Sequence, residues 1–269
     1  MNLTCNWSEY KPFVRKGEAP LVPFCAHPLS DDQFVSNNVV KKGRHLECDS
    51  LPNLLSNSLG PSKNAYKEHY PTVYIDVGAN IGTCVMQMLL TTNATIMAFE
   101  PHPYNLFVMT STFMKLEKKY RNRINLFPIA LGAESSKSTI HMASDNRGHA
   151  VVSKIIRINN KSSFLPPMPI RVEPLDSIMN PTATIHLMKM DAQGFECYIF
   201  DGMKQVLQRT RSVFFELEKK VLNGFEHCSP QVLWDSFMHA GFEMHIGGKL
   251  DPTNEMPDRG KVNIVALNM

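Results

Sequence analysis

From Thr72 to Asn268 the chain alternates short β-rich runs with stretches of helically spaced apolar residues, and that alternation constrains its fold most. TVYIDV (72–77), TIMAFE (95–100), INLFPIAL (124–131), TIHLMKMD (184–191) and SVFFELE (212–218) read as strands. IGTCVMQMLL (81–90), YNLFVMTSTFMKLEKKY (104–120), ECYIFDGMKQVLQ (196–208) and PQVLWDSFMHAG (230–241) read as helices between and after them. Strands joined through helices in this way build a mostly parallel sheet covered on both faces. Two stretches depart from the rhythm. STIHMA, AVVSKIIRI and IRVEPL form a β-rich insertion before TIHLMKMD, and FEMHIGG with VNIVALN is predicted to close the chain as an antiparallel pair. The expected fold class is therefore α/β.

Ahead of residue 71 the periodicity is lost. Scattered prolines (Pro12, Pro20, Pro23, Pro28, Pro52, Pro61) and polar clusters such as SNSLGPSKN predict an irregular extension over 1–70, with one short helix near Leu51 to Ser58. Phe13, Phe24, Phe34 and Leu54 give it the means to pack on a single domain over 71–269.

The first strand ends in YIDVGANIG (74–82), an acid followed by a glycine turn into a helix. Open α/β sheets bind ligands beyond such strand ends. A dinucleotide site would need a third glycine, and a P-loop would need a GK[ST] run; neither is present here. The second strand ends in Glu100, whose carboxylate can accept bonds from ribose hydroxyls at about 1.5 to 3 kcal/mol each. A glycine turn without a pyrophosphate cradle, beside a ribose carboxylate, fits an adenosine whose tail is an amino acid: S-adenosylmethionine. Methyl transfer from its sulfonium needs in-line positioning and no metal.

A net charge of +3 with scattered Lys and Arg gives no basic groove, which argues against a nucleic-acid partner, and no NPPY- or DPPY-like tetrapeptide occurs. No apolar run approaches the roughly 18 to 20 residues of a membrane span, and MNLTCNWSEYKPF lacks the layout of a signal peptide. The expectation is a soluble chain, cytoplasmic, or lumenal if an anchor lies upstream. The six cysteines form no CxxC pair, which argues against structural zinc. A domain this large should not need disulfide staples. A bridge among Cys5, Cys25 and Cys48 stays open for a lumenal protein.

Five stretches in order, YIDVGANIG, MAFEPHPYNL, PIALG, EPLDSI and LMKMDAQGFECYIFDG, resemble the motifs of FkbM-type methyltransferases over roughly residues 71 to 220. The resemblance implies a class I methyltransferase Rossmann-like sheet, S-adenosylmethionine as cofactor, and methylation of oxygen on a sugar, glycan or hydroxylated small molecule. It implies that Asp76, Gly78, Asn80 and Gly82 line the methionine end of the cofactor and that Ala130 and Leu131 lie against the adenine. Pro101 and His102 shape the turn after the ribose acid, with His102 structural.

Asp191, ending the strand expected beside the first, should face the transferred methyl and orient or deprotonate an acceptor hydroxyl; a helix cap is the plainer role. Glu196 follows in the next helix's first turn, where an acid is stabilised by the helix dipole in any case. The family pattern DxEGxE reads here Asp191-Ala192-Gln193-Gly194-Phe195-Glu196. Gln193 loses the charge, so Glu216 and Glu218 become candidates to replace it. The same departure permits a non-catalytic binding or scaffold protein, against which the complete cofactor set argues. His141, Arg147 and His149 lie in the insertion, which in this fold often covers the acceptor pocket; exposed loop residues without function are the plainer reading for each.

Overall fold

The computed structural model describes residues 3–15, 17–59, 71–144, 146, 150–152, 164–246, 249–250, 255–257 and 260–268. The extension is more ordered than its composition predicts. Strands β1 (Asn6–Tyr10) and β2 (Val22–Ala26) form an antiparallel hairpin, followed by helix α1 (Val35–Lys42), a 3₁₀ turn (Leu46–Ser50) and helix α2 (Leu51–Ser58). Helix α2 falls where the sequence places it. The hairpin went unread because neither strand alternates cleanly, and Pro23 interrupts the second.

Next come β3 (Val73–Val77), α3 (Thr83–Thr91), β4 (Thr95–Phe99), α4 (Pro103–Lys115), α5 (Lys118–Arg121) and β5 (Ile124–Phe127). The single helix expected over 104–120 is broken at Leu116, whose backbone is extended. The expected third strand also divides. Beyond Phe127 the chain leaves the main sheet, and β6 (Ala130–Leu131) pairs in a second sheet with β7 (Ser136–Met142), β8 (Ala150–Val152) and β9 (Met168–Glu173). Arg147 and His149 lie outside the described residues. Then follow α6 (Leu175–Ile178), β10 (Leu187–Met190), α7 (Glu196–Asp201) and α8 (Lys204–Leu207). Gly202 and Met203 separate these last two helices, so the helix expected over 196–208 is two. The chain closes with β11 (Ser212–Glu218), α9 (Lys219–Leu222), α10 (Pro230–His239), β12 (Phe242–Ile246), β13 (Lys249–Leu250) and β14 (Lys261–Asn268).

Among the described residues the main sheet runs β13-β12-β14-β11-β10-β3-β4-β5. Its β11-β10-β3-β4-β5 part is parallel, and β14 pairs antiparallel with both β11 and β12, as the C-terminal pattern predicts. The strand order reverses between β3 and β10: the chain first builds outward through β4 and β5, then returns to the other side of β3. Such a switch point opens a crevice at the C-terminal strand ends.

Each strand sends alternate residues to opposite faces. Val73, Ile75 and Val77 join Met188, Met190, Phe215 and Trp234 in one core. Tyr74, Leu187, Phe214 and Val265 join the other, which also contains Tyr10, Phe24, Val39, Leu51 and Leu55 of the extension. A fully buried side chain of this size contributes about 1.5 to 3 kcal/mol, so the extension is part of the core on that face. Phe24 packs as expected, whereas Phe34 stays 61% exposed.

Polar bonds fix the same contact. Tyr10 Oη donates to the Thr83 carbonyl (2.9 Å), and Gln87 bonds both backbone groups of Phe13. All six cysteines are paired, as Cys5–Cys25, Cys48–Cys84 and Cys197–Cys228. The size argument against staples therefore fails. The bridges do not replace a core; Cys48–Cys84 ties the extension to α3, and Cys197–Cys228 ties α7 to the segment before α10. No described helix is long and apolar enough to cross a membrane.

Candidate active site

The turn after β3 is shaped by close backbone approach. Gly78 has φ +75°, and a Cβ there would lie 1.9 Å from the Asp191 carbonyl oxygen. Asn80 also takes a left-handed φ of 54°. The Asp191 N–H donates to the Val77 carbonyl (3.1 Å), which locks the ends of β3 and β10 together. Gly82 (φ +87°) opens α3 with Met109 packed where a side chain would point. Asp76 is fully buried on the extension-facing side. It therefore acts behind the turn, 3.6 Å from the Lys189 ammonium, and not as a lining group.

Glu100 is held from three sides. Its Oε2 accepts from Asn80 N–H (2.8 Å), and its Oε1 from His102 N–H (2.8 Å) and Asn105 Nδ2 (3.3 Å). A carboxylate offers about four lone-pair directions, so about one remains for a further donor. Burial pushes the Glu100 carboxyl up to about 7, with the three hydrogen bonds pulling the other way. Asn105 in turn pairs with His27 Nε2 (2.9 Å), a buried extension residue with no motif to reveal it. His102 caps α4 through its own ring, accepting from Tyr104 N–H, as its structural assignment anticipates.

Two spaces flank this turn. The first is a slot lined by Gly78, Asn80, Glu100, Pro101, Ala130 and Leu131, among others, and walled by Ile140, Ala150 and Val152 of the second sheet. Ala130 and Leu131 reach it from that second sheet and not from the end of the third strand. The slot encloses about 60 Å³. The slot brings together a carboxylate, an apolar far end and a glycine turn that admits no side chain.

The second space is a cavity of about 390 Å³ on the extension's side of the sheet. Its floor comes from strand ends, where one face turns from apolar to charged: Leu187 to Lys189 to Asp191, and Phe214 to Glu216 to Glu218. Lys261 of β14 closes one side, and Phe34, Asn38, His45 and Glu47 of the extension close the other. Among the described residues of the insertion, Asn146 lines this cavity, while Ile140, Ala150 and Val152 line the slot. His141 bonds its neighbour Thr139.

The electrostatics are those of carboxylates with few cations. Burial alone would lower Lys189, but Asp76, Asp191, Glu47 and Glu216 outweigh it and keep the ammonium protonated. Its nitrogen lies 3.6 Å from Asp191 Oδ2, while Asp191 Oδ1 accepts from Gln193 Nε2 (2.6 Å). The departure at Gln193 thus has a physical consequence: it supplies a donor to Asp191 where the family's glutamate would present a second anion. Glu216 is raised to about 7 by burial and by Asp191, against the pull of Lys261 at 2.7 Å. Glu196 is 3% exposed. Its Oε1 accepts from Ala192 N–H (2.8 Å), bracing the turn after Asp191, and burial raises it to about 7. It therefore stands behind Asp191 and not at the slot. Among the described residues no group of three His, Cys, Asp or Glu side chains is placed to hold a metal.

Slot and cavity share four lining residues: Gly78, Asn80, Asp191 and Gln193.

A sequence model described as the methyltransferase FkbM domain matches residues 76–244. Compared with curated proteins, the chain has no match. Among solved structures it is similar to a precorrin-6y C5,15-methyltransferase from Geobacter metallireducens GS-15 (14% identity, 81% of this chain and 87% of that one, TM-score 0.41). It is similar also to a magnesium protoporphyrin IX methyltransferase from Synechocystis PCC 6803 with bound SAM (8%, 88% and 84%, TM-score 0.43). A third is the N-terminal domain of EvdMO1, solved in the presence of SAH and D-fucose (9%, 84% and 84%, TM-score 0.42).

Proposed function

The chain belongs to the FkbM methyltransferase family, and for this S-adenosylmethionine-dependent enzyme we propose O-methylation of a sugar, glycan or other polyhydroxylated small molecule. The observation that carries the reading is the junction of slot and cavity at Gly78, Asn80, Asp191 and Gln193. Asp76, Gly78, Asn80, Gly82 and Glu100 would shape the methionine and ribose end of the donor site, with Pro101, Ala130 and Leu131 toward the base. When bound, the cofactor supplies an electrophilic methyl on a sulfonium, so what remains for the protein is to place an oxygen and take its proton.

Asp191 sits where the two spaces meet, fixed by Gln193 on one oxygen and facing Lys189 on the other. It would orient the acceptor hydroxyl and accept its proton as the oxygen–carbon bond forms. Glu216, titrating near neutrality, is suited to act as a second base, because a base works best with a pKa near the working pH. Glu196 would be a positioning residue that holds the Asp191 turn. Three disulfides that consume every cysteine support work in an oxidising compartment, lumenal or extracellular.

The test is transfer from labelled S-adenosylmethionine to a panel of free sugars, glycans and polyols, with Asp191→Asn as control. Transfer to a hydroxyl that is lost in the variant, with cofactor binding retained, supports the reading. Full activity in Asp191→Asn removes Asp191 from the chemistry.

A further inference from the structure

The acceptor cavity has a wall that the family domain does not supply. Phe34, Asn38, His45 and Glu47 all precede residue 76, and Lys261 follows residue 244. The extension is held rigidly there. Asp32 is fully buried; its Oδ1 accepts from the N–H groups of Phe34 and Val35 (3.1 Å each) and its Oδ2 from Ser36 N–H (2.8 Å). The backbone of Phe34 is thereby fixed, while its ring is left 61% exposed at the mouth of the cavity. An aromatic ring in solvent forfeits burial energy unless something covers it.

Charge decides what that is. Among the described residues every cation lining the cavity is already committed: Lys189 to Asp76 and Asp191, Lys261 to Glu216 and Glu218, and His45 to Glu47. Acceptor oxygens, by contrast, are in surplus. Glu47 Oε1 is buried without a hydrogen bond, although its partner oxygen meets His45 at 3.2 Å. His45 together with Lys189 and Lys261 pulls Glu47 down to about 2 against its burial, so it stays ionised. In the recess beneath Asp191 and Glu216, the nine-tenths-buried Glu196 leaves Oε2 without a hydrogen bond. A phosphate, sulfate or carboxylate on the acceptor would meet carboxylates with no cation to spare. Hydroxyl groups would meet acceptors in need of donors, beside a flat apolar ring.

We infer that the N-terminal extension builds an acceptor subsite for an uncharged cyclic polyol of the pyranose class, in which Phe34 is the stacking platform and Glu47 takes hydroxyl hydrogen bonds. This rests on the sugar reading above and adds to it the charge class and the residues that choose it.

The experiment uses the full chain with labelled S-adenosylmethionine and matched probes: methyl glucopyranoside, methyl galactopyranoside and methyl mannopyranoside against glucuronic acid and glucose 6-phosphate. Neutral glycosides should be methylated with kcat/KM at least about tenfold above their anionic counterparts, since an unpaired charge costs at least about 1.4 kcal/mol. Phe34→Ala should raise KM for the neutral probe about tenfold, Phe34→Trp should restore it, and cofactor affinity should not change. Glu47→Gln should narrow the gap between neutral and anionic probes. Transfer that proceeds equally well in Phe34→Ala, or equally to anionic probes, overturns the subsite while leaving the sugar reading intact. No transfer to any sugar from an enzyme that binds the cofactor overturns both.

Discussion

The slot and the cavity lie on either side of one turn, yet they are assembled in opposite ways. The slot draws most of its lining from two short stretches, Gly78 to Asn105 and Ile129 to Leu131, with the small sheet behind it and Asp191 and Gln193 joining from the end of β10. The cavity is assembled from Phe34, Glu47, Asp191, Glu216 and Lys261, groups separated by most of the chain. On the proposed reading, donor binding would then be a largely local property that a motif can carry, and acceptor choice a property of how the extension and the strand ends meet.

The contrast is sharpest at Asp191, which belongs to both spaces. Asp191→Asn should lower kcat by about 10²- to 10⁴-fold, the range of a lost general base, with cofactor affinity within a few-fold by calorimetry. An equal loss of both would mean that the residue serves the slot alone. Gly78→Ala should break both sides at once. Its Cβ would meet the Asp191 carbonyl at 1.9 Å in a left-handed backbone. A cost of at least about 2 to 3 kcal/mol in urea unfolding is expected.

Replacing Cys48 and Cys84 together by serine should cost about 2 to 5 kcal/mol in stability. In the folded fraction it should raise the acceptor KM more than the cofactor Kd, because that bridge ties down the acceptor-side wall. The reverse ordering would show that the extension serves the donor, through His27, Asn105 and Glu100.

The smallest effects concern pH. Glu100 is raised from 4.5 to about 7, so its acceptor capacity falls as pH drops through 7, and cofactor affinity should weaken on the same side. Stability runs the other way. Between 4.5 and about 7 the folded chain binds more protons than the unfolded one at Glu100, Glu196 and Glu216, so their contribution to stability declines as pH rises through that window. Thermal unfolding scanned over pH should show that decline, and Glu196→Gln should flatten it without moving the pH dependence of cofactor binding.

Much of this was legible in advance where chemistry and spacing coincide. Asp76, Gly78, Asn80, Gly82 and Glu100 sit around one strand-to-helix turn and the next strand end, and β3, β10, β11 and the β12–β14 pair follow from apolar runs of the right length. The hairpin of the extension was not legible, because its strands do not alternate cleanly and its buried residues pack in a core shared with α3 and α4. Nor were the disulfides, since Cys48 with Cys84 and Cys197 with Cys228 are neighbours only once the sheet is formed. One missed signal was present. In Tyr74-x-Asp76, Leu187-x-Lys189-x-Asp191 and Phe214-x-Glu216-x-Glu218 the same face changes from apolar to charged at the strand end.

By itself the sequence determined the alternating α/β order, the glycine turn and the acid that follows it, because these depend on spacing within a few tens of residues. Only the tertiary structure decided which face the extension covers, that Asp76 is buried beside Lys189, and that Phe34 and Glu47 line one cavity with Asp191. Those outcomes depend on which strand ends and chain segments pack together, and no spacing along the chain encodes that residue 47 and residue 261 line one cavity.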